Sequence, residues 1–141
     1  PQHEFGHLWE YPLRSVCTIS THDMATLRGW WEEDPALTAR YYNQVLGQWG
    51  EVPVTAPGWA CEEIVRQHLQ CPSLLCILAF QDWLSMDEDL RYPDANAERI
   101  NVPANPRHYW RYRMHVTLED LMKNKAFNKK MTEMIDETGR Y

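Results

Sequence analysis

The sequence predicts an α/β fold built from parallel β/α units, and three observations carry that prediction. Val16-Cys17-Thr18-Ile19 is a β-branched and apolar stretch that suits a half- or fully buried strand, and it runs into the polar pair His22-Asp23 and then a helical segment bearing Trp30-Trp31. Pro72 to Phe80, PSLLCILAF, is a near-continuous apolar run of the kind found in strands buried on both faces. It ends in Gln81-Asp82-Trp83, so the order of apolar run, polar residue, Asp and aromatic-bearing helix occurs twice. Segments of helical period lie between and after the two runs, which is the signature of β/α alternation.

The helical segments follow in order. Asp34-Pro35 reads as an N-cap with proline at the first helical position, Leu37, Tyr41 and Val45 follow at helical spacing, and Gly47 stops the helix. Gly47, Gly50, Pro53, Pro57 and Gly58 break the next stretch into a loop. Trp59 to Gln70 is predicted as a helix with Ala60, Cys61, Ile64, Val65 and His68 on one stripe, His68 being a packed residue rather than a ligand. Residues 85–113 are irregular, and Arg111 and Arg113 among their aromatics could stack on a ligand but are rather expected to pin this long loop. Thr117 opens a final helix with a capping-box pattern, and Leu118, Leu121, Met122, Phe127, Met131, Met134 and Ile135 form its expected core-facing stripe, ended by Gly139.

Composition narrows the classes. A chain of 141 residues, 44% hydrophobic and 24% charged, is long enough for one domain with a core, and residues 1–141 are read as a single region. A net charge of -6 without a basic stripe argues against a nucleic-acid partner. Leu74 to Phe80 is too short to span a membrane, and the first twenty residues lack the apolar core of a signal peptide, so a cytoplasmic location is expected. Four cysteines without zinc-finger spacing are expected to be reduced and buried. Seven Trp and seven Tyr suit stacking on sugar rings, but equally suit cores and interfaces. The chain starts at Pro1 rather than Met, which suggests processing or a piece of something longer.

Two motifs compete for chemistry. His3-Glu4-Phe5-Gly6-His7 matches the H-E-x-x-H zinc-peptidase pattern, but that chemistry needs both His on a stable helix, and Gly6 and the nearby Pro12 argue against one. No metal is therefore expected. His22-Asp23 falls where the first strand ends, the place where β/α proteins collect reactive groups. Asp23 could instead simply cap the following helix. Asp82, after the second strand, is read as a loop-organising carboxylate. No Gly-rich phosphate loop and no nucleophilic Ser or Cys with a partnered His is recognisable.

SVCTISTHDMATLRGWWEED followed by ERINVPANPRHYWRYRM resembles the C-terminal part of 4-α-glucanotransferases, the amylomaltase or disproportionating-enzyme family of the α-amylase superfamily. The resemblance runs over roughly residues 10 to 125 and rests on THD, the WW pair, the QDW and the N-V-P…YWRYR segment in this order. It implies strands seven and eight of a (β/α)8 barrel, with their helices, in a chain too short for the about 250 residues of a whole barrel. It implies that Asp23 is the catalytic residue that stabilises the transition state by binding sugar hydroxyls, and that His22 and Trp30 are substrate-binding. The family's nucleophile and acid/base lie upstream, and only 21 residues precede His22, so neither is expected here and the fragment alone is expected to be inactive. The implied partners are malto-oligosaccharides and α-1,4-glucans and the rest of the parent catalytic domain, with no cofactor. A fragment of this kind leaves Leu74 to Phe80 without neighbours, and repacking under helices or self-association is expected to hide it. The competing reading is a non-catalytic carbohydrate-binding or scaffold module.

Overall fold

The computed structural model describes residues 3–140. Strand β1 (Val16–Cys17) leads into helices α1 (Leu27–Glu33), α2 (Pro35–Gln44) and α3 (Gly58–Gln70), and the chain returns as strand β2 (Leu75–Cys76). The two strands pair in parallel, Val16 opposite Leu75 and Cys17 opposite Cys76, so the helices form the crossover of a β/α unit. Helix α4 (Phe80–Leu84) follows β2, a 3-10 turn at Ala95–Glu98 interrupts the long loop, and α5 (Leu118–Lys123) and α6 (Lys125–Glu137) end the chain. The predicted α/β class thus takes the form of a helix-rich chain with one two-stranded parallel sheet.

The helix starts obey their capping chemistry. Asp34 Oδ1 accepts from Leu37 N at 3.1 Å, and Pro35 sits at the first helical position, where a missing N–H costs nothing. Gly47 turns the chain away from α2 with a φ of +65°, a left-handed conformation that glycine adopts without a Cβ clash. Gly58 opens α3 for another reason: a Cβ there would meet the Met86 carbonyl oxygen at 2.7 Å.

The core lies between α1, α3, α4 and α6. Trp31, Ala60, Cys61, Ile64, Val65, Leu84, Phe127 and Met134 are buried there. Burying a side chain such as Ile64 or Leu84 stabilises by about 1.5–3 kcal/mol, so this apolar cluster carries most of the fold. Trp31 also satisfies its indole N–H by donating to the Pro53 carbonyl at 2.9 Å, which ties the crossover loop to α1. Arg140 closes the chain's end onto α3, donating from Nε to the Leu69 carbonyl at 2.6 Å and from an Nη to the Cys71 carbonyl at 2.7 Å.

Four expectations need correction. The apolar run at 72–80 makes only a two-residue strand, and Leu74, Leu75 and Ile77 are 65%, 52% and 60% exposed instead of buried. Among the described residues no helix covers these three, while Cys76, Leu78 and Phe80 pack against the core, so repacking hides only one side of the segment; a strand extends only as far as a neighbour offers ladder partners, and β1 offers two residues. The final helix is two helices, because Asn124 caps a second one by accepting from Phe127 N at 3.1 Å. Its stripe is therefore split: Phe127 and Met134 are buried, while Leu118 and Met122 face solvent. Arg111 and Arg113 do not pin the long loop through hydrogen bonds among the described residues, and Arg111 lies over the Tyr109 ring at 4.9 Å.

Candidate functional site

The pinning of the long loop falls to other arginines. Arg28, buried on α1, donates to Glu98 Oε1 at 2.9 Å, to the Tyr92 carbonyl at 2.6 Å and to the Pro93 carbonyl at 3.3 Å. Arg91 donates to the Ala56 and Ser85 carbonyls at 2.7 and 3.0 Å. Burial pushes the Glu98 carboxyl above its usual range while the Arg28 charge opposes that shift, and Glu98 Oε2 has no hydrogen-bond partner among the described residues. This buried pair fixes the loop that goes on to Arg99, Ile100 and Asn101. There, Arg99 Nε donates to the Asn101 carbonyl at 2.9 Å, and His108 Nε2 donates to the Ile100 carbonyl at 2.9 Å.

The opposing half of the site is the loop from β1 to α1. Asp82, on the first turn of α4 and fully buried, accepts from Ser20 Oγ at one end of that loop and from Leu27 N, at 2.9 Å, at the other. Burial raises the Asp82 carboxyl above its usual range, against the two hydrogen bonds that favour its charged form. Thr26 Oγ1 accepts from Gly29 N at 3.2 Å and so caps α1. Thr26 and Asp82 satisfy the helix start between them, and the reading of Asp23 as a mere helix cap is thereby excluded. Asp82 is the loop organiser the sequence suggested.

Asp23 is left pointing at a surface. Its Oδ1 accepts from Asn101 Nδ2 at 2.7 Å, and its Oδ2 lies 3.2 Å from His22 Nε2. Both side chains stay about half exposed, at 52% for Asp23 and 55% for His22. A carboxylate offers about four lone-pair sites, so one partner on each oxygen fixes its orientation and leaves acceptor capacity directed outward. The Trp110 ring lies 5.2 Å from the His22 ring, and Trp110 and Tyr109 are both exposed. The arrangement is an oriented anion beside an aromatic platform, which suits a polyhydroxyl ligand: the carboxylate accepts hydrogen bonds from hydroxyls and the ring packs on an apolar sugar face.

Of the three predicted site residues, the structure brings His22 and Asp23 together and leaves Trp30 aside. Trp30 is half-buried with its ring edge-on to Tyr41 of α2, centroids 5.1 Å apart, and the aromatic beside His22 is Trp110. Asn101, in the N-V-P segment, is a site residue that the sequence does not mark. Its position 78 residues from Asp23 leaves no local signal. A groove of about 800 Å³ is lined by none of His22, Asp23, Asn101 or Trp110. A smaller one of about 280 Å³ is lined by Ala25, Thr26, Gly29, Asn96 and Arg99, at the start of α1 and around the 3-10 turn, next in sequence to Asp23 and Asn101. Among the described residues, the one trio of ligating side chains close enough to share an ion is elsewhere, at His3, His7 and Glu10.

Comparison with known proteins gives consistent matches. A family model described as 4-alpha-glucanotransferase matches residues 1–119. The 4-alpha-glucanotransferase DPE2 of Oryza sativa subsp. japonica is 39% identical over 140 residues, which cover 99% of this chain and 15% of the relative. The 4-alpha-glucanotransferase of Chlamydia caviae is 31% identical over 131 residues, 92% of this chain and 24% of the relative. The amylomaltase from Streptococcus agalactiae in complex with acarbose aligns with a TM-score of 0.65 at 21% identity, over 92% of this chain and 23% of that one. At that identity the likeness speaks for the fold. The chain spans 15% and 24% of the length of the two curated relatives.

Proposed function

The chain belongs to the 4-alpha-glucanotransferase family, and on that premise we propose that it works as one section of such an enzyme, transferring α-1,4-glucan segments between malto-oligosaccharides. In this reading residues 1–141 form a single region, and β1 and β2 are strands seven and eight of a (β/α)8 barrel. The parallel pairing across a helical crossover supports that placement. So do the exposed apolar side chains of β2, which a closed barrel wall would cover.

The observation that carries the functional reading is the Asp23 carboxylate, oriented by Asn101 and His22 yet half exposed at the mouth of the loop after β1. Retaining glycosyl transfer needs a nucleophilic carboxylate and an acid/base about 5 Å apart, with a transition state that carries positive charge on the sugar ring. In the proposed mechanism this chain supplies neither of those two. Asp23 instead accepts hydrogen bonds from sugar hydroxyls, and these bonds strengthen as the ring flattens and its charge develops, so they lower the barrier rather than merely hold substrate. Asn101 keeps the carboxylate aimed. His22 contacts a neighbouring hydroxyl, and Trp110, in place of Trp30, offers the stacking face. The nucleophile and acid/base come from the remainder of the parent barrel.

The test compares maltotriose disproportionation by the longer parent protein with Asp23 intact and with Asp23→Asn. A fall on the order of a thousandfold, equivalent to about 4 kcal/mol of transition-state binding, is expected with the unfolding temperature unchanged. Near-normal turnover by the variant would leave the module reading, in which the aromatics bind glucan without chemistry, as the better account.

A further inference from the structure

The geometry points to a divalent transition-metal site at His3, His7 and Glu10, with zinc the best-matched ion. Among the described residues, these three are the one set of ligating side chains whose donor atoms all lie within 4.8 Å of one another. The two imidazoles are stacked with centroids 3.8 Å apart, and His7 Nδ1 is 3.4 Å from Glu10 Oε1.

The backbone that carries them is held in place. Glu4 receives both Nε and an Nη of Arg40 on α2, at distances of 2.7–3.1 Å, and Phe5 packs edge-on against Tyr41 with centroids 5.1 Å apart. Leu8–Glu10 closes a 3-10 turn, with Glu10 N donating to the His7 carbonyl at 3.0 Å. The Trp9 ring stacks on His7 at 4.4 Å. The entropy of bringing the three backbone positions together is thus largely spent on folding, and only side-chain ordering is left for the ion.

Donor chemistry selects the ion. Two imidazole nitrogens and one carboxylate form a borderline-soft set that suits zinc and its first-row neighbours, whereas calcium and magnesium take all-oxygen shells. Tetrahedral zinc with bonds of about 2.0–2.2 Å places its ligand atoms roughly 3.4 Å apart. His3 and Glu10 are exposed; closing to that spacing asks both to turn inward by a little over 1 Å and His3 to tilt out of its stack on His7, so that both in-plane lone pairs meet the ion. Three protein ligands leave a fourth position for water. Peptidase chemistry does not follow: Glu4, the H-E-x-x-H carboxylate, is committed to Arg40, and residues 3–7 are not helical. The ion would instead clip the segment from His3 to Glu10 into one rigid loop at the wall of the 800 Å³ groove.

Zinc titration of the full 141-residue chain against a chromophoric chelator tests this. One ion per chain is expected, with binding weakened by acid because protonated imidazole has no lone pair for the metal. His7→Ala and Glu10→Gln should each weaken binding by about tenfold or more, while His115→Gln binds like the unaltered chain. Far-ultraviolet dichroism and unfolding temperatures should stay unchanged, since Glu10 is exposed and His7 lies outside the core. Absence of stoichiometric binding, or binding that survives both substitutions at full strength, would overturn the assignment.

Discussion

Replacing Arg28 with Met removes the charge that three loop carbonyl and carboxylate groups share. The side chain is 4% exposed and Glu98 opposite is 1% exposed, so the variant leaves a carboxylate buried with no cation and with Oε2 already unpartnered. Breaking a buried pair in this way costs about 3–5 kcal/mol. Against a typical domain stability of about 5–15 kcal/mol that is a large fraction, and the urea midpoint should fall accordingly. The pH dependence distinguishes this cause from lost packing. Burial raises the Glu98 carboxyl in the folded chain, so the folded state binds its proton more readily than the unfolded state. The resulting penalty is absent below the unfolded carboxylate range and grows as pH rises through the folded one. Arg28 counteracts that penalty, and the gap between Arg28→Met and the unaltered chain should therefore be widest at neutral pH and narrow on acidification. Adding Glu98→Gln to Arg28→Met should recover a substantial part of the loss. Urea titrations followed by circular dichroism at neutral and acid pH measure all three. A neutral-pH deficit under about 1 kcal/mol, or one that does not change with pH, would refute the reasoning.

Other substitutions probe separate links. Asp82→Ala strips Ser20 Oγ and Leu27 N of their acceptor and should cost about 2 kcal/mol, with Asp82→Asn intermediate, by chemical denaturation. Asn124→Ala should cost about 1 kcal/mol by removing the cap of α6, and amide exchange should rise first in the turn from Lys125 to Asn128. Leu75→Lys should change the stability of this chain by no more than about 0.5 kcal/mol, since Leu75 is exposed. If the β2 face drives self-association, light scattering should show the same variant shifted towards monomer; a monomer before and after would exclude association through that face.

The sequence was most informative where a single residue decides the local outcome. Asp34-Pro35 and Thr117 both start helices as their chemistry requires, because a cap depends on atoms three residues away. The parallel relation of the two apolar runs was also readable, since the helical stretch between them demands a crossover. Asn124 was hidden by its own context: it sits inside an amphipathic stripe that continues past it, and the periodicity outweighed the cap. The length of β2 is not legible, because apolar composition says that a segment prefers burial, not that a neighbour is present to provide it. Within the site, His22-Asp23 announced itself as a pair at a strand end. Asn101, Arg28 with Glu98, and Asp82 acting on Ser20 are contacts across 78, 70 and 62 residues, and nothing in the sequence at either end marks the other.

The double grip of Asp82 has a consequence for how this region tolerates length change. Ser20 and Leu27 are both fastened to one immobile carboxylate, so the segment between them is a closed hoop of fixed circumference. One residue added or removed there changes where His22 and Asp23 ride on the hoop, since neither end can slide to absorb it. Trp49, Gly50 and Glu51, which are exposed and lie ahead of the Pro53 carbonyl that holds Trp31, can take extra length without disturbing the hoop. The spacing from Ser20 to Leu27 is thus a mechanical dimension of the site, set by a residue that belongs to the other β/α unit.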